Sequence, residues 1–304
     1  MSLVLPPAMP GQIVDAHHHL WALGQVSYPW LMSAQPRFFG DPSSIRHDYD
    51  PSAFCGDWEG VPIAASVHVQ VGTAPGAEVA ETRLLQAMAE MDGLPSAIIA
   101  FADLTAPELS ATLDLHAAAS SRLRGVRQII SRRAEEDLRS GSPQLLDDRA
   151  FRRGLELLAM RSLVFDLQLT PPYLLAAAKL FAEIPELAVN LCHAGSPWDR
   201  TAVGLARWQD GLAAFAELPQ ASIKLSGFAM FEPDWTDESI ARIVSPVLAA
   251  FGPDRVMWGS NFPVDRIHRG YAETLMAVAH AVPEASRAAV FGETARRGYR
   301  LGLS

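Results

Sequence analysis

Eight short apolar segments, rich in β-branched residues, recur along the chain and are separated mostly by longer segments with helical spacing. The strand-like segments are 13–17, 62–71, 96–101, 123–130, 162–169, 187–193, 221–227 and 254–260. The segments with helical spacing include 78–91, 107–120, 151–160, 171–184, 206–218 and 237–251. Such alternation is typical of parallel α/β folds, and eight units in 304 residues predict a single closed (β/α)8 barrel, the TIM barrel.

A doubly wound sheet is the alternative fold with the same alternation. It usually carries a glycine-rich phosphate-binding loop after its first strand, and no such loop follows residues 13–17 here. We therefore predict one barrel domain over residues 12–304, preceded by an N-terminal extension over residues 1–11.

The segment 20–61 breaks the regular alternation, because it separates the first two strands by an irregular stretch. It is crowded with aromatic residues, namely Trp21, Tyr28, Trp30, Phe38 and Phe39. An insertion after the first strand starts at the C-terminal end of the barrel, where loops surround the active site in this fold. We expect this segment to cap the mouth, with Trp21 at its root packing there or contacting a bound substrate.

The charge and the cysteine content exclude several classes of partner. Lys and Arg total 25 against 34 Asp and Glu, a net charge of −9, which argues against binding to nucleic acid or to an anionic membrane surface. The two cysteines form no disulfide framework, and the N-terminus lacks the pattern of a signal peptide. We expect a cytoplasmic protein without a nucleic-acid or membrane partner, and whether it forms a homo-oligomer stays open.

Polar side chains gather where the predicted strands end. Catalytic residues of eight-stranded barrels come from the C-terminal ends of several strands. Seven of the eight predicted strands carry such residues near their C-terminal ends, and these are His17, His18, His19, His68, Gln70, Arg127, Gln128, Asp166, Gln168, His193, Lys224, Ser226, Asn261 and Asp265. The sequence therefore predicts an active site at the mouth of the barrel.

The pair His17 and His19 is a candidate for metal binding. Side chains alternate along a strand, so both imidazoles can face inward, and His193 from the sixth strand can supply a third nitrogen. Imidazole suits zinc. Histidines in this position can equally bond to one another or polarise a substrate oxygen without a metal, and the residues alone leave both alternatives open.

The sequence resembles the amidohydrolase superfamily, of the amidohydrolase 2 type, in its lactonase and decarboxylase branches. The resemblance spans nearly the whole chain and rests on DAHHHLW at 15–21, GVRQ at 125–128, FDLQ at 165–168, CHAG at 192–195, IKLSGF at 223–228 and WGSNFPVD at 258–265. It implies a (β/α)8 barrel that opens a small lactone, either a sugar lactone or a carboxylated lactone of the muconolactone or pyrone type.

Two departures from the family pattern bear on the site. The strand-eight aspartate of the family falls on Asn261, whose amide cannot act as a general base, so Asp265 becomes the candidate base with Asn261 orienting the water. An ion pair with Arg266 is the alternative role for Asp265. The family's bridging lysine or glutamate and its fifth-strand histidine are also missing. The resemblance therefore implies one divalent metal, most simply zinc on His17, His19 and His193, or none.

The predicted mechanism is attack of water on the ester carbonyl of a lactone. We expect Arg127 to hold a substrate carboxylate, with an ion pair to Asp166 as its alternative role. Hydroxyls or a second acid group of the substrate would bind at His68, Gln70, Gln168 and Lys224. The resemblance keeps two further functions open, a metal-dependent decarboxylase and a barrel that binds small acids without turnover.

Overall fold

The computed structural model describes residues 3–58, 60–133, 136–137 and 142–302. It contains one sheet of eight parallel strands, each paired with the next along the chain. The strands are β1 Ile13–His18, β2 Ile63–Val69, β3 Ala97–Ala100, β4 Leu123–Ile129, β5 Val164–Gln168, β6 Val189–Leu191, β7 Ala221–Leu225 and β8 Val256–Trp258. The prediction of a single (β/α)8 barrel is confirmed.

All eight predicted strands are found, the first one residue longer and the other seven shorter than predicted. Backbone geometry shows where the chain has left the strand conformation near the site. His193 has φ of 54° and Asn261 has φ of 58°, values in the left-handed region that no extended strand contains. These two polar residues therefore follow β6 and β8 in turns and do not lie on the strands themselves.

The helices surround the sheet. They are α1 Pro29–Met32, α2 Pro51–Asp57, α3 Glu78–Asp92, α4 Leu109–Ala119, α5 Arg149–Met160, α6 Leu174–Ala182, α7 Ala202–Ala216, α8 Phe228–Phe231, α9 Asp237–Phe251, α10 Tyr271–Ala281 and α11 Thr294–Gly298. The six predicted helices correspond to α3, α4, α5, α6, α7 and α9. Helix α7 begins four residues before the predicted start, because the Thr201 hydroxyl caps it by accepting from the Gly204 amide.

The barrel closes through main-chain hydrogen bonds between β1 and the segment after β8. The amide of Asn261 donates to the carbonyl of His17, and the amide of His19 donates to the carbonyl of Phe262, both over 2.7 Å. The buried carboxylate of Asp15 reinforces this closure by accepting from the Ser260 amide over 2.9 Å. The residues of the strand ends are thus held in place by the same bonds that close the barrel.

The segment 20–61 contains α1, a 3-10 turn at Pro42–Ile45 and α2. Two main-chain bonds, each 2.9 Å long, join Trp21 at the start of the segment to Tyr49. The indole of Trp30 donates to the carbonyl of Val71 over 2.8 Å, which fixes the segment to the loop after β2. Among the described residues, no helix combines the length and the apolar character that a membrane span needs.

Candidate functional site

A cavity of about 420 Å³ lies where the segment 20–61 meets the C-terminal ends of the strands. The strand ends and the turns that follow them contribute His19, Gln70, Arg127, Gln168, His193 and Asn261. The segment 20–61 contributes a wall that includes Trp30, Arg37, Phe38 and Phe39. A cavity of this size holds a small organic molecule, and its lining combines an apolar wall with convergent polar groups, as binding sites do.

The three predicted histidines lie close together at the base of this cavity. The ring centroids of His17 and His193 are 4.5 Å apart, and those of His17 and His19 are 5.3 Å apart. His19 and His193 line the cavity, whereas His17 is fully buried and lies outside the lining. Gly259 makes room for this packing, because a Cβ at that position would come within 2.6 Å of the His17 Cβ.

The hydrogen bonds of His19 define its tautomer. Its Nδ1 lies 2.6 Å from the carbonyl oxygen of Val69, which can only accept, so Nδ1 carries the proton. The Nε2 atom therefore presents a lone pair, and it lies 3.4 Å from Oδ1 of Asn261. Burial, and next the nearby Arg127 guanidinium, lower the pKa of His19 to about 3, so the ring is neutral at neutral pH.

The amide of Asn261 is oriented by Asp265. Its Nδ2 donates to Oδ1 of Asp265 over 2.7 Å, while the second oxygen of Asp265 accepts from the Ala229 amide over 3.3 Å. This bond turns Oδ1 of Asn261 toward His19. Asp265 is fully buried and does not line the cavity. Arg266, the alternative partner expected for Asp265, pairs with Asp57 over 3.3 Å instead.

Arg127 is buried and lines the cavity. Its Nη1 donates to Oε1 of Gln168 over 3.2 Å and its Nη2 donates to the main-chain oxygen of Gln70 over 2.5 Å. Its Nε atom has no partner. The ion pair with Asp166, the alternative role expected for Arg127, is not formed among the described residues. The guanidinium therefore keeps its charge available for an anionic group in the cavity.

Asp166 pairs with Lys224, and not with Arg127 as the alternative role expected for Arg127 required. The Nζ atom of Lys224 lies 2.5 Å from Oδ2 of Asp166 and also donates to the carbonyl of Ala16 over 2.9 Å. Tyr299 and Asn190 donate to the same carboxylate over 2.9 and 3.0 Å. Both charged side chains are fully buried, and Lys224 does not line the cavity. The expectation that Lys224 binds substrate is therefore corrected.

The remaining predicted binding residues divide into two groups. Gln70 and Gln168 line the cavity, and Oε1 of Gln70 has no hydrogen-bond partner. His68 and Trp21 are fully buried outside the lining. The Nδ1 atom of His68 accepts from the Leu20 amide over 3.0 Å, and the Trp21 indole donates to the His47 carbonyl over 2.7 Å. These bonds occupy His68 and Trp21 in fixing the segment after β1.

The turn after β6 is strained where it positions His193. His193, Ala194 and Ser196 all have positive φ, between 52° and 55°, which is costly for residues with a Cβ. Gly227 lies against the ring, since a Cβ there would come within 2.5 Å of the His193 Nδ1. The Ser226 hydroxyl lies 3.0 Å from the same atom. Strain of this kind concentrates at functional sites, which agrees with the location of His193.

Burial, together with nearby positive charges, keeps the histidines neutral, and burial weakens the acid behind Asn261. Burial lowers the pKa of His17 well below its ordinary value, and the Lys224 ammonium lowers it further. Burial and then the Arg127 guanidinium do the same for the pKa of His193. Burial raises the pKa of Asp265 to about 7 despite its bond from Asn261. Neutral imidazoles at the cavity are suited to accepting a proton and to hydrogen bonding.

Sequence reasoning missed one part of the lining. Arg37, Arg132 and Glu136 line the outer part of the cavity, and Arg37 forks onto Glu136 with bonds of 2.8 and 2.6 Å. The aromatic cluster of the segment 20–61 indicated a wall. The charged residue within that cluster, Arg37, was the available signal for a polar contact across the mouth.

The sequence left open one divalent metal on His17, His19 and His193 or none, and the arrangement of the side chains bears on this choice. Among the described residues, no group of three or more His, Cys, Asp and Glu side chains is placed to hold a metal ion. The guanidinium of Arg127 lies 3.5 Å from Nε2 of His17, one of the two ring nitrogens that could bind the cation. Asn261 also supplies no negative charge. As arranged here, the donor set does not fit a metal held by His17, His19 and His193.

The chain matches the family model described as "Amidohydrolase" over residues 14–301. It is 32% identical over 296 residues to "Uncharacterized protein y4mH" of Sinorhizobium fredii, covering 95% of this chain and 98% of that protein. It is 29% identical over 303 residues to the "L-fucono-1,5-lactonase" of Burkholderia multivorans, covering 95% of this chain and 96% of that enzyme.

Solved structures give the same relationship. The crystal structure of an amidohydrolase from Burkholderia multivorans with bound zinc has a TM-score of 0.80 and 27% sequence identity. The match covers 96% of this chain and all of that one, at 100%. The fold is therefore shared with these relatives over nearly the whole chain.

Proposed function

Because the chain belongs to the amidohydrolase family, we propose that it hydrolyses a small lactone by addition of water to the ester carbonyl. One observation carries the proposal: two acceptor atoms, Nε2 of His19 and Oδ1 of Asn261, lie 3.4 Å apart at the wall of a cavity that Arg127 also lines. The L-fucono-1,5-lactonase relative supports lactone chemistry for this arrangement.

The attacking water binds between His19 and Asn261. Neither Nε2 of His19 nor Oδ1 of Asn261 has a hydrogen to donate, so each accepts one hydrogen of the water, and the water oxygen keeps its lone pairs for the carbonyl carbon. As the carbon–oxygen bond forms, His19 takes one proton and returns it to the ring oxygen that leaves. A substrate carboxylate on Arg127 offsets the charge that lowers the pKa of His19.

The oxyanion and the rest of the substrate bind to the other lining residues. The Ser226 hydroxyl donates to Nδ1 of His193 in the tautomer whose Nε2–H faces the developing oxyanion. Arg127 holds a carboxylate of the substrate with the N–H groups that Gln168 and the main chain leave available. Gln70 and Gln168 bind hydroxyls.

Asp265 acts through Asn261 and not on the water directly, because it is buried behind the amide and does not line the cavity. Its carboxylate fixes which end of the Asn261 amide faces His19. The earlier expectation of Asp265 as the direct base is replaced by this positioning role. His17 supports the site from below, with its ring against His193 and its carbonyl bonded to the Asn261 amide.

A divalent metal is the alternative means of activating the carbonyl, and the zinc in the relative from Burkholderia multivorans supports it. Bound metal would polarise the carbonyl and acidify water. Since the residues here do not fit that ion while Arg127 stays beside His17, the proposed steps use protein side chains alone. We further propose a cytoplasmic location, because both Cys55 and Cys192 are free thiols.

A lactone panel tests the proposal. Aldonolactones and carboxylated lactones are mixed with the enzyme in a weakly buffered pH indicator, and ring opening appears as acid release. We expect turnover that His19→Asn abolishes and that His280→Asn, at an exposed histidine of α10, leaves unchanged. Release of carbon dioxide from aromatic acids would identify a decarboxylase, and ligand-dependent melting without any turnover would identify a binding protein.

A further inference from the structure

Several charged side chains line the cavity, and the proposed reaction uses only one of them, Arg127. Three guanidinium groups, those of Arg37, Arg127 and Arg132, line the cavity, and Glu136 is the carboxylate among its described lining residues. A second carboxylate, Asp137, lies behind this wall, where it accepts from the Arg132 amide over 2.7 Å. Among these five described side chains, positive charge therefore exceeds negative charge by one.

Glu136 is held against Arg37 by a fixed geometry. The guanidinium donates from Nε and Nη2 to the two carboxylate oxygens over 2.8 and 2.6 Å, and both side chains are largely buried, with 17% and 11% of their surfaces exposed. The same guanidinium lies 5.4 Å from the ring centre of Trp30 and 5.5 Å from that of Phe39. Two rings and a bidentate bond fix the carboxylate at the cavity wall.

We propose that Glu136 determines how many negative charges a substrate of this cavity carries, so that the enzyme prefers lactones with one carboxylate over lactones with two. That the substrates are lactones rests on the proposed function, whereas the preference in charge rests on the cavity alone. Arg127 binds the single carboxylate in the inner part of the cavity. The charges of Glu136 and Asp137 oppose that of Arg132, the other guanidinium of the outer part. A second carboxylate there meets an Arg37 that Glu136 already neutralises and is repelled by Glu136 itself.

Binding of two matched acids tests this preference without any turnover. Glutarate carries two carboxylates, and glutaramate replaces one of them by an amide of the same shape. Titration calorimetry gives the ratio of their dissociation constants. The variant Glu136→Gln keeps the size of the side chain and removes its charge. A unit charge in a partly buried site changes the binding of a nearby charge by about tenfold. In Glu136→Gln we therefore expect the affinity for glutarate relative to glutaramate to rise by about that factor.

Arg37→Met changes the charge in the opposite direction and should lower the relative affinity for glutarate. Glu186→Gln is the control, since this exposed residue precedes β6 at the opposite end of the barrel, and its ratio should equal that of the unchanged protein. Thermal melting of each variant shows that it is folded. An unchanged ratio in Glu136→Gln, or no binding of either acid to any of the proteins, overturns the proposal.

The outcome is separable from that of the proposed function. A shifted ratio without lactone turnover would leave Glu136 as the determinant of charge in a cavity that binds acids. Turnover of lactones with an unshifted ratio would leave the hydrolase and remove the role of Glu136.

Discussion

The Nδ2 group of Asn261 donates a hydrogen bond to Oδ1 of Asp265 over 2.7 Å. An ionised carboxylate can only accept, so this bond determines which end of the amide faces the cavity. The side-chain oxygen of Asn261, and not its NH2 group, therefore faces Nε2 of His19. A residue that replaces the family's aspartate thus gains a fixed orientation from a carboxylate four positions later in the chain.

Replacing Asp265 by Asn tests this orientation. An amide at this position can donate as well as accept, so the Asn261 side chain loses its defined direction and the water loses one acceptor. We expect kcat to fall about a hundredfold with a smaller change in KM, as misplacement of a reacting group does. Steady-state kinetics on the best lactone measures it, with Asp234→Asn on an exposed loop as the control. A normal kcat would remove Asp265 from the mechanism.

The pH profile follows from the same carboxyl. Burial raises the pKa of Asp265 to about 7, and only its ionised form is limited to accepting. Activity should therefore rise with pH through a limb near pH 7. The limb should be missing in Asp265→Asn, whose residual activity is expected to be flat over the same range. A limb that persists unchanged in the variant would assign the titration to another group.

Arg127 is predicted to act in binding. Arg127→Met removes the guanidinium that faces the cavity, and the side chain keeps much of its apolar volume. Loss of a charge-assisted, bidentate contact should raise KM about a hundredfold for a lactone with a carboxylate. A neutral lactone of the same ring size should be affected far less. Equal losses for both lactones would show that Arg127 supports the fold of the site and not the carboxylate.

Glu81 gives a prediction about stability. It is buried on α3 and accepts from the Val71 amide over 3.1 Å, and burial raises its pKa to about 8. The folded state therefore binds a proton more tightly than the unfolded chain, so stability is lost as pH rises from about 4.5 to 8, by at most about 1.4 kcal/mol per pH unit. Glu81→Gln should flatten this part of the profile. Urea unfolding at pH 5 and pH 8 compares the two proteins.

Removal of metal distinguishes the two ways of activating the carbonyl. Since Arg127 lies beside His17 and the described side chains form no metal-binding group, activity should survive treatment with dipicolinate, a strong chelator. The treated protein is checked by elemental analysis for zinc, manganese and iron. Loss of activity that returns on addition of zinc would instead establish a metal-dependent site.

The strands and most of the mouth could be predicted because they follow from local patterns. Alternation of apolar segments indicated all eight strands, and polar residues at their ends indicated His19, Arg127, Gln168 and His193. Side-chain partners could not be predicted in the same way. Lys224 and Asp166 come from β7 and β5, and their pairing depends on how far each side chain extends into the barrel. Sequence spacing carries no information on that depth.

The segment 20–61 shows the same limit. Its aromatic residues indicated a wall over the mouth, and Trp30 and Phe39 do line the cavity. Trp21, from the same cluster, is instead fixed by a bond to the His47 carbonyl and does not line the cavity. Which aromatic residue faces the cavity depends on the path of an irregular chain, and no periodicity describes that path.

The main-chain bonds from Asn261 to His17 and from His19 to Phe262 tie chemistry to the completion of the molecule. During synthesis on the ribosome, His17 and His19 emerge early with the first strand. Asn261, which the proposed reaction pairs with His19, emerges only after the eighth strand. Catalytic competence and the last topological step of folding must therefore appear together. A fragment that ends before Asn261 would be inert, however well the rest of it folded.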